Sequence, residues 1–234
     1  MSEGFVLKPI GWMRSPWKGK FGVPRQPGLV KSAKGEVEFA PEFAGEEARE
    51  GLEGFSHLWV TFVFDRVGEE ETRLRVRPPR LGGNERRGVF ATRSPFRPNR
   101  LGLSLCEIEA VNPVLRLGGV DLVDGTPILD LRPYLPYVES VADALGGFAD
   151  EEPQRVEVRV REGVREAWED LGHEEREVIR EMLGWDPRPA YVKDEEREFG
   201  VRVGDWEVKW CFCAGASEIV GIVRAVEKKS AEFD

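Results

Sequence analysis

The sequence has few of the residues that most often carry metal or redox chemistry. Among its 234 residues there are only two histidines, His57 and His173, and three cysteines. The histidines lie far apart in the chain and have no carboxylate or thiol at metal-ligand spacing, so we expect no metal site. Three cysteines make no even disulfide framework, which favours a reducing compartment.

Long apolar runs and the common nucleotide-binding loops are missing as well. The run LWVTFVF (58–64) is too short to cross a membrane, and the first residues lack the pattern of an export signal. We therefore expect a cytoplasmic protein without a membrane partner. No Gly-x-Gly-x-x-Gly follows a predicted strand, and no glycine-rich loop ends in Gly-Lys-Ser or Gly-Lys-Thr, which disfavours Rossmann and P-loop nucleotide sites.

Positive charge is concentrated in one stretch of an acidic chain. The formal net charge is −9, yet residues 76–104 contain seven arginines and a single acid, Glu85. Prolines and glycines accompany these arginines, which is typical of loops. Arginine forks suit phosphate oxygens, and Phe90 and Phe96 offer faces for base stacking. From these residues alone, a polyanion-binding loop and an arginine-rich interface both remain open.

Residues 1–148 are expected to form mainly strands. Short β-branched and aromatic runs alternate with turn-forming pairs such as Lys34-Gly35 and Asp124-Gly125, and their spacing predicts an all-β barrel or sandwich. A linker at 146–154, made of glycine, acid and proline, separates this part from the rest of the chain. The sequence therefore predicts a β domain that ends near residue 148.

Residues 149–234 have a different pattern and are predicted to form a small α+β domain. An alternating run at 155–160 predicts a strand, and the helical spacing that follows is interrupted at Gly172-His173, where we expect one helix to end and another to begin. Gly204-Asp205 is the predicted turn of a hairpin.

Three loop features have the composition of ligand sites. Pro24 and Pro27 stiffen the segment PRQPG and leave its peptide groups exposed. Asp124 opens the turn DGTP, which brings together a carboxylate, a hydroxyl and peptide groups. Asp65 ends an apolar run and could be a site carboxylate or a strand-end cap. By local sequence alone a rigid surface turn explains PRQPG better than a ligand site does, and for DGTP and Asp65 both explanations stay open. Composition and spacing therefore go no further than a ligand-binding β domain with a basic rim.

Longer motifs add a resemblance to a known family. Along the chain they are IGWMRSPWKGKFGVPRQPGLV, GLEGFSHLWVTFVF, VRPPRLGGNERRGVFATRSPFRPNRLGLS, LVDGTPILDLRPYLPYVES and DPRPAY. Together they resemble the TsaA/TrmO family of S-adenosylmethionine-dependent tRNA methyltransferases. The resemblance implies a mainly β chain: a single antiparallel β-barrel that binds the methyl donor without a Rossmann fold, followed by a small α+β C-terminal domain. It further implies a homodimer with its sites near the subunit interface.

The same resemblance implies a reaction and the residues that serve it. The reaction is methyl transfer to N6 of threonylcarbamoyladenosine, in the anticodon arm of a threonine tRNA. By motif position the cofactor contacts are Gln26, Pro27, Gly28, Phe64, Asp65, Arg93, Leu103, Asp124, Gly125, Thr126 and Pro127. The expected tRNA contacts are Arg77, Arg80, Arg86, Arg87, Arg97, Arg100 and Tyr191. Two positions depart from the pattern, because some relatives have histidine at position 65 and many have proline at position 100.

Asp65 and Asp124 are the candidate proton acceptors, because neither histidine is placed to take a proton from N6. Two other functions are weighed against methyl transfer to tRNA. An RNA-binding module without transfer activity would keep the arginines but would have no need of PRQPG and DGTP, and both are intact. A small-molecule methyltransferase on the same barrel would have no need of the arginine-rich stretch.

Overall fold

The computed structural model describes residues 5–78, 85–188, 192, 194 and 197–225, and its first part consists mainly of strands. This confirms the mainly β prediction. The elements are β1 (Gly11–Arg14), β2 (Lys34–Phe39), β3 (His57–Val63), β4 (Arg75–Val76), β5 (Arg87–Gly88), β6 (Leu101–Ala110), β7 (Leu115–Gly118), β8 (Pro127–Pro133) and the short helix α1 (Pro136–Glu139).

Six of these strands form one antiparallel sheet that closes on itself. Its order is β1-β2-β7-β6-β3-β8, and β1 pairs with β8, so that each strand has two neighbours. Burial alternates along β3, where Leu58, Val60 and Phe62 are buried and the residues between them are half-exposed. This is the period of two that predicts a strand with one face in the core.

The interior of the closed sheet is filled by side chains. Met13, Leu58, Leu115, Leu117 and Ile128 are each 0% exposed. Complete burial of an aliphatic side chain of this size stabilises the fold by about 1.5–3 kcal/mol. Because a narrow closed sheet has room for its own side chains only, a ligand has to bind at one of its ends or on its outer surface.

Three loops that join strands of the closed sheet emerge at the same end of it. At this end Val63 of β3 pairs with Leu101 of β6, and Lys34 of β2 pairs with Gly118 of β7. The three loops, called the rim loops below, are 15–33 between β1 and β2, 64–100 between β3 and β6, and 119–126 between β7 and β8. Antiparallel pairing thus gathers segments that are distant in the sequence around one opening.

The chain after the linker forms a second sheet with helices beside it. The order of this sheet is β10-β11-β12-β9, with β9 parallel to β12 and the other pairs antiparallel. The predicted turn at Gly204-Asp205 is confirmed, because Val203 pairs with Trp206. The elements are β9 (Glu157–Val160), α2 (Arg165–Glu169), α3 (His173–Gly184), β10 (Phe199–Val203), β11 (Trp206–Cys213) and β12 (Ala216–Arg224).

The helices of this second part follow the predicted pattern. α2 ends at Glu169 and α3 begins at His173, so the break predicted at Gly172-His173 is confirmed. Ile179 and Leu183 of α3 are 0% exposed and lie on one face of the helix, four residues apart. No helix within the described ranges is both long and apolar enough to cross a membrane.

A substitution at Gly11 tests how tightly the closed sheet is packed. A Cβ at this position would lie 2.4 Å from the carbonyl oxygen of Glu38, a backbone atom of the neighbouring strand that cannot rotate away. We expect Gly11→Ala to lower the free energy of unfolding in urea by about 1–3 kcal/mol. Gly54→Ala is the matched control, because a Cβ at Gly54 meets no atom within 4 Å. Equal stability of the two variants would contradict this packing.

Candidate functional site

The residues predicted to contact a cofactor lie at one end of the closed sheet. Most of them lie on the rim loops, and two lie on the adjoining strand ends, Leu103 on β6 and Pro127 on β8. The structure therefore brings together segments that are separated by up to a hundred residues of sequence. The rim-loop members are Gln26, Pro27, Gly28, Phe64, Asp65, Arg93, Asp124, Gly125 and Thr126.

All three rim loops meet around the segment PRQPG. A guanidinium N–H of Arg93 donates to the side-chain oxygen of Gln26, which joins loop 64–100 to loop 15–33. The backbone N–H of Gly28 donates to the carbonyl of Gly119 at 2.8 Å, which joins loop 15–33 to loop 119–126. Gly28 has φ +75°, and a Cβ on Gly119 would lie 3.0 Å from the Cα of Gly28. Glycine is needed at this crossing because the two backbones approach so closely.

The carboxylate of Asp124 anchors the third rim loop. Its Oδ1 accepts the backbone N–H of Ser15 at 3.0 Å, and its Oδ2 lies 3.0 Å from the ammonium of Lys18. The backbone carbonyl oxygen of Asp124 accepts an N–H of Arg66 at 2.7 Å. Because both carboxylate oxygens already have partners within the protein, this geometry suits an anchor better than a proton acceptor.

Phe64 and Asp65 follow the last residue of β3. The backbone N–H of Phe64 donates to the carbonyl of Arg100 at 2.8 Å, and its half-buried ring meets that of Phe62 edge-on, with centroids 5.0 Å apart. The side chain of Asp65 is exposed. Leu103 is 54% exposed on the outer face of β6. Phe64 and Leu103 offer apolar surface for a flat ring, and Asp65 offers a carboxylate at the same end.

One carboxylate at this end was not found from the sequence. Asp121 lies in loop 119–126, and its Oδ1 accepts the hydroxyl of Ser104 from β6 at 2.6 Å. Burial raises the pKa of Asp121 to about 6, while the Ser104 hydrogen bond and the charge of Arg93 act in the opposite direction. A carboxyl group in this range gives up and accepts a proton near neutral pH. The one feature of the sequence that could have pointed to Asp121 is that it is the single acid within the apolar run GGVDLV.

Two of the arginines predicted to bind tRNA stabilise the second rim loop. Arg97 donates to the carbonyl of Thr92 at 2.7 Å and to that of Val89 at 3.2 Å. Arg100 donates to the carbonyl of Val67 at 2.8 Å. The φ of Arg100 is +52°, a left-handed value that the ring of proline does not allow.

Two of the remaining arginines present their charge outward. Arg77 and Arg86 are exposed, whereas Arg87 is half-buried and pairs with Glu85 at 2.7 Å. Arg80 and Tyr191 lie outside the described residues. A phosphate-binding surface is therefore best represented by Arg77 and Arg86.

Aromatic rings lie beside these charges. Phe90 is 76% exposed, which leaves a face free for stacking. The ring of Phe96 is covered by the guanidinium of Arg73, whose carbon lies 4.3 Å from the ring centroid. An exposed ring among arginines is the combination with which proteins bind unpaired bases.

The donor set at this end fits an adenosine-containing ligand with a charged amino-acid group. Arg93 can hold a carboxylate, Asp65 can accept from an amine or a hydroxyl, and the glycines of PRQPG and DGTP allow close approach of the backbone. Among the described residues, no group of His, Cys, Asp and Glu side chains is placed to hold a metal ion.

Comparisons with known proteins give one consistent result. The family model for the tRNA-methyltransferase O N-terminal domain matches residues 12–140, and the model for the TrmO C-terminal domain matches residues 153–225. A relative from Escherichia coli (strain K12), named tRNA (adenine(37)-N6)-methyltransferase, is 48% identical over 220 residues, which cover 89% of this chain and 93% of the relative.

Two proteins from Pseudomonas aeruginosa are similar to most of the chain. One has a name that describes an S-adenosylmethionine-dependent methyltransferase, and it is 47% identical over 210 residues, covering 87% of this chain and 91% of the relative. The other is TrmO, whose crystal structure superposes on this chain with a TM-score of 0.78. The two are 36% identical, and the match covers 96% of this chain and 99% of that chain.

Proposed function

The chain belongs to the tRNA-methyltransferase O family, and we propose from this membership and from the rim geometry that it methylates N6 of adenosine 37 in tRNA with S-adenosylmethionine as the donor. The observation that carries this function is the meeting of PRQPG, Arg93 and loop 119–126 at one end of the closed sheet. The finer substrate that we propose is threonylcarbamoyladenosine in a threonine tRNA.

The proposed cofactor site uses each rim loop for a different part of the ligand. When bound, S-adenosylmethionine supplies an activated methyl group on a sulfonium centre. Arg93 is proposed to hold the carboxylate of S-adenosylmethionine. The backbone at 26–28 and 124–127 is proposed to bind its other polar groups, and Phe64 and Leu103 are proposed to pack against its adenine ring. Positioning of this kind, which holds two reactants in line, lowers a barrier by up to about 7–11 kcal/mol.

We propose that Asp121 accepts the proton that leaves N6. Asp124 already accepts from Ser15 and Lys18, and Asp65 is exposed to water. Asp121 is half-buried where the rim loops meet, and its pKa of about 6 leaves it ionised but basic at neutral pH. Ser104, through its 2.6 Å hydrogen bond, fixes the orientation of this carboxylate.

The tRNA is proposed to bind over the second rim loop. Arg77 and Arg86 contact phosphates, and the exposed ring of Phe90 stacks on a base of the anticodon loop. Arg97 and Arg100 hold the loop in shape from within, so they contribute to tRNA binding indirectly.

The closed sheet is proposed to be the single antiparallel β-barrel domain of the family, spanning 1–148, with the α+β domain at 149–234. We also propose a homodimer in the cytoplasm. Supporting the dimer, four apolar side chains soon after β8 are strongly exposed in the single chain, and a second copy would cover them. Their exposed fractions are 83% for Tyr137, 59% for Val138, 66% for Val141 and 95% for Leu145.

The direct test of the function is transfer of labelled methyl from S-adenosylmethionine to bulk tRNA from cells that lack this protein, followed by mass analysis of the nucleosides. We expect the label in N6-methylated threonylcarbamoyladenosine. Label in another nucleoside would contradict the proposed substrate. Cofactor binding without any label in tRNA would favour a small-molecule substrate, and tRNA binding without cofactor binding would favour an RNA-binding module.

The role of Asp121 predicts the pH dependence of the methylation rate. The carboxylate has to be ionised to accept a proton, so the rate should rise as the pH increases through about 6 and then level off. Asp121→Asn should remove this rise and lower the plateau rate by about 10²–10⁴-fold. Ser104→Ala should move the rise to higher pH, because the variant has no hydroxyl to lower the pKa of Asp121.

The control for this profile is Glu46→Gln, at an exposed carboxylate between β2 and β3, at the opposite end of the closed sheet. It should leave both the rate and the profile unchanged. If Asp65→Asn abolishes the pH-dependent rise while Asp121→Asn does not, Asp65 is the acceptor and the assignment to Asp121 is wrong.

The exposed arginines predict a change in salt dependence. Binding of arginine to phosphate releases counterions, so tRNA affinity should fall steeply as salt increases. The double variant Arg77→Gln/Arg86→Gln should weaken tRNA binding and reduce the slope of log Kd against log salt by about 1 for each phosphate that is no longer neutralised. Arg224→Gln, an exposed arginine of β12, is the matched control. A slope equal to that of the unaltered protein would contradict the proposed tRNA surface.

A further inference from the structure

Residues 16–22, in the early part of the rim loop 15–33, attach this loop to the second sheet. The ring of Phe21 stacks on that of Phe199 in β10, with centroids 6.0 Å apart. The backbone N–H of Gly204 donates to the carbonyl of Pro16 at 2.7 Å. A Cβ on Gly22 would lie 2.2 Å from the side chain of Val201, so the loop backbone lies directly on β10. This part of loop 15–33 forms an extra layer on the C-terminal domain.

The later residues of the same loop are held by the end of α3 and the residues after it. The indole N–H of Trp185 donates to the carbonyl of Leu29 at 2.6 Å. The Oε2 of Glu181 accepts both the backbone N–H and the hydroxyl of Ser32, each at 2.9 Å. Both contacts lie just beyond Gly28 and fix the direction in which the chain leaves PRQPG.

A third contact holds the loop before Gln26. Arg25 donates to the carbonyl of Arg188 at 3.1 Å. Arg188 is itself fixed, because its guanidinium makes two 2.8 Å hydrogen bonds to Asp186 and lies 3.5 Å from the ring centroid of Phe212 in β11. Asp186 and Arg188, the first and third residues of DPRPAY, thus form a buried support for the loop.

The three contacts bracket the proposed cofactor residues. Arg25 precedes Gln26, and Leu29 and Ser32 follow Gly28. The C-terminal domain therefore contacts the loop on both sides of the segment 26–28, which is the segment that meets Arg93 and Gly119. A loop that is already held in its binding conformation loses less conformational entropy when a ligand binds. Release of these contacts is therefore expected to weaken ligand binding without altering any atom that touches the ligand.

We propose that the C-terminal domain positions the cofactor site, with Trp185 and Glu181 as positioning residues that hold PRQPG in its binding conformation. The proposal rests on the proposed function, because it takes PRQPG to be part of the donor site. It assigns to this domain an effect on affinity for the methyl donor, whereas an RNA-binding arm would affect affinity for tRNA alone.

The test uses the full chain with Trp185→Phe and Glu181→Ala combined. The first substitution keeps an aromatic ring but removes the N–H that Leu29 accepts, and the second removes the acceptor for Ser32. We expect the Kd of S-adenosylhomocysteine, measured by calorimetry, to rise about tenfold, which corresponds to about 1.4 kcal/mol of binding free energy. The KM for S-adenosylmethionine should rise in parallel, with kcat at saturating donor and the Kd for bulk tRNA within about twofold of the unaltered protein.

The matched control is Glu177→Ala combined with Trp206→Phe. Glu177 lies one helical turn before Glu181 and pairs within the helix with Arg180 at 3.8 Å, and Trp206 lies in the hairpin of the second sheet. This control should leave the cofactor Kd unchanged. If the combined test variant does not fold, Trp185→Phe alone, which preserves the packed ring, decides the question by the same measurements.

Three results would overturn the proposal. In one, the cofactor Kd is unchanged while the tRNA Kd rises, which would make the domain an RNA-binding arm. In another, only the melting temperature falls, which would make the contacts purely structural. In the third, test and control variants weaken cofactor binding equally. Failure of the proposed function is a separate outcome, because the unaltered protein itself would then not bind S-adenosylhomocysteine.

Discussion

The filling of the closed sheet by its own side chains is the constraint from which the rest of the structure follows. Met13, Leu58 and Leu117 are completely buried inside it, so that ligand chemistry has to be built outside. The fold meets this constraint by directing three loops to a single end. A Rossmann fold places its ligand beside the ends of parallel strands and binds phosphate at a helix N-terminus, whereas here we propose that loops that cross one another provide the site.

Three aspartates at this end differ in environment, and the differences separate their roles. Asp124 accepts from Ser15 and Lys18 and stabilises the turn that it opens. Asp65 is exposed, and Asp121 is half-buried beside Ser104, where its pKa is raised to about 6. A proton acceptor has to be ionised yet basic at neutral pH, and Asp121 meets this requirement best.

The sequence predicted the parts of the fold that depend on local pattern. The strand-rich first part, the break before His173 and the hairpin at Gly204-Asp205 were all predicted from it. Contacts between distant segments were not visible, because no local pattern encodes the hydrogen bond from Trp185 to Leu29 or from Ser104 to Asp121. Arg97 and Arg100 show the same limit, since only the folded loop reveals that they donate to its carbonyls. The rim residues came from family resemblance, and their roles as ligand contacts stay predictions.

The three rim loops are proposed to act together as one donor site. Hydrogen exchange of the backbone amides, measured with and without S-adenosylhomocysteine, tests this cooperation most directly. We expect the ligand to slow exchange in all three segments, 15–33, 64–100 and 119–126, and to leave exchange unchanged at the opposite end of the closed sheet, around residues 111–114. Protection confined to one loop, or protection at the opposite end, would contradict a donor site shared by the three loops.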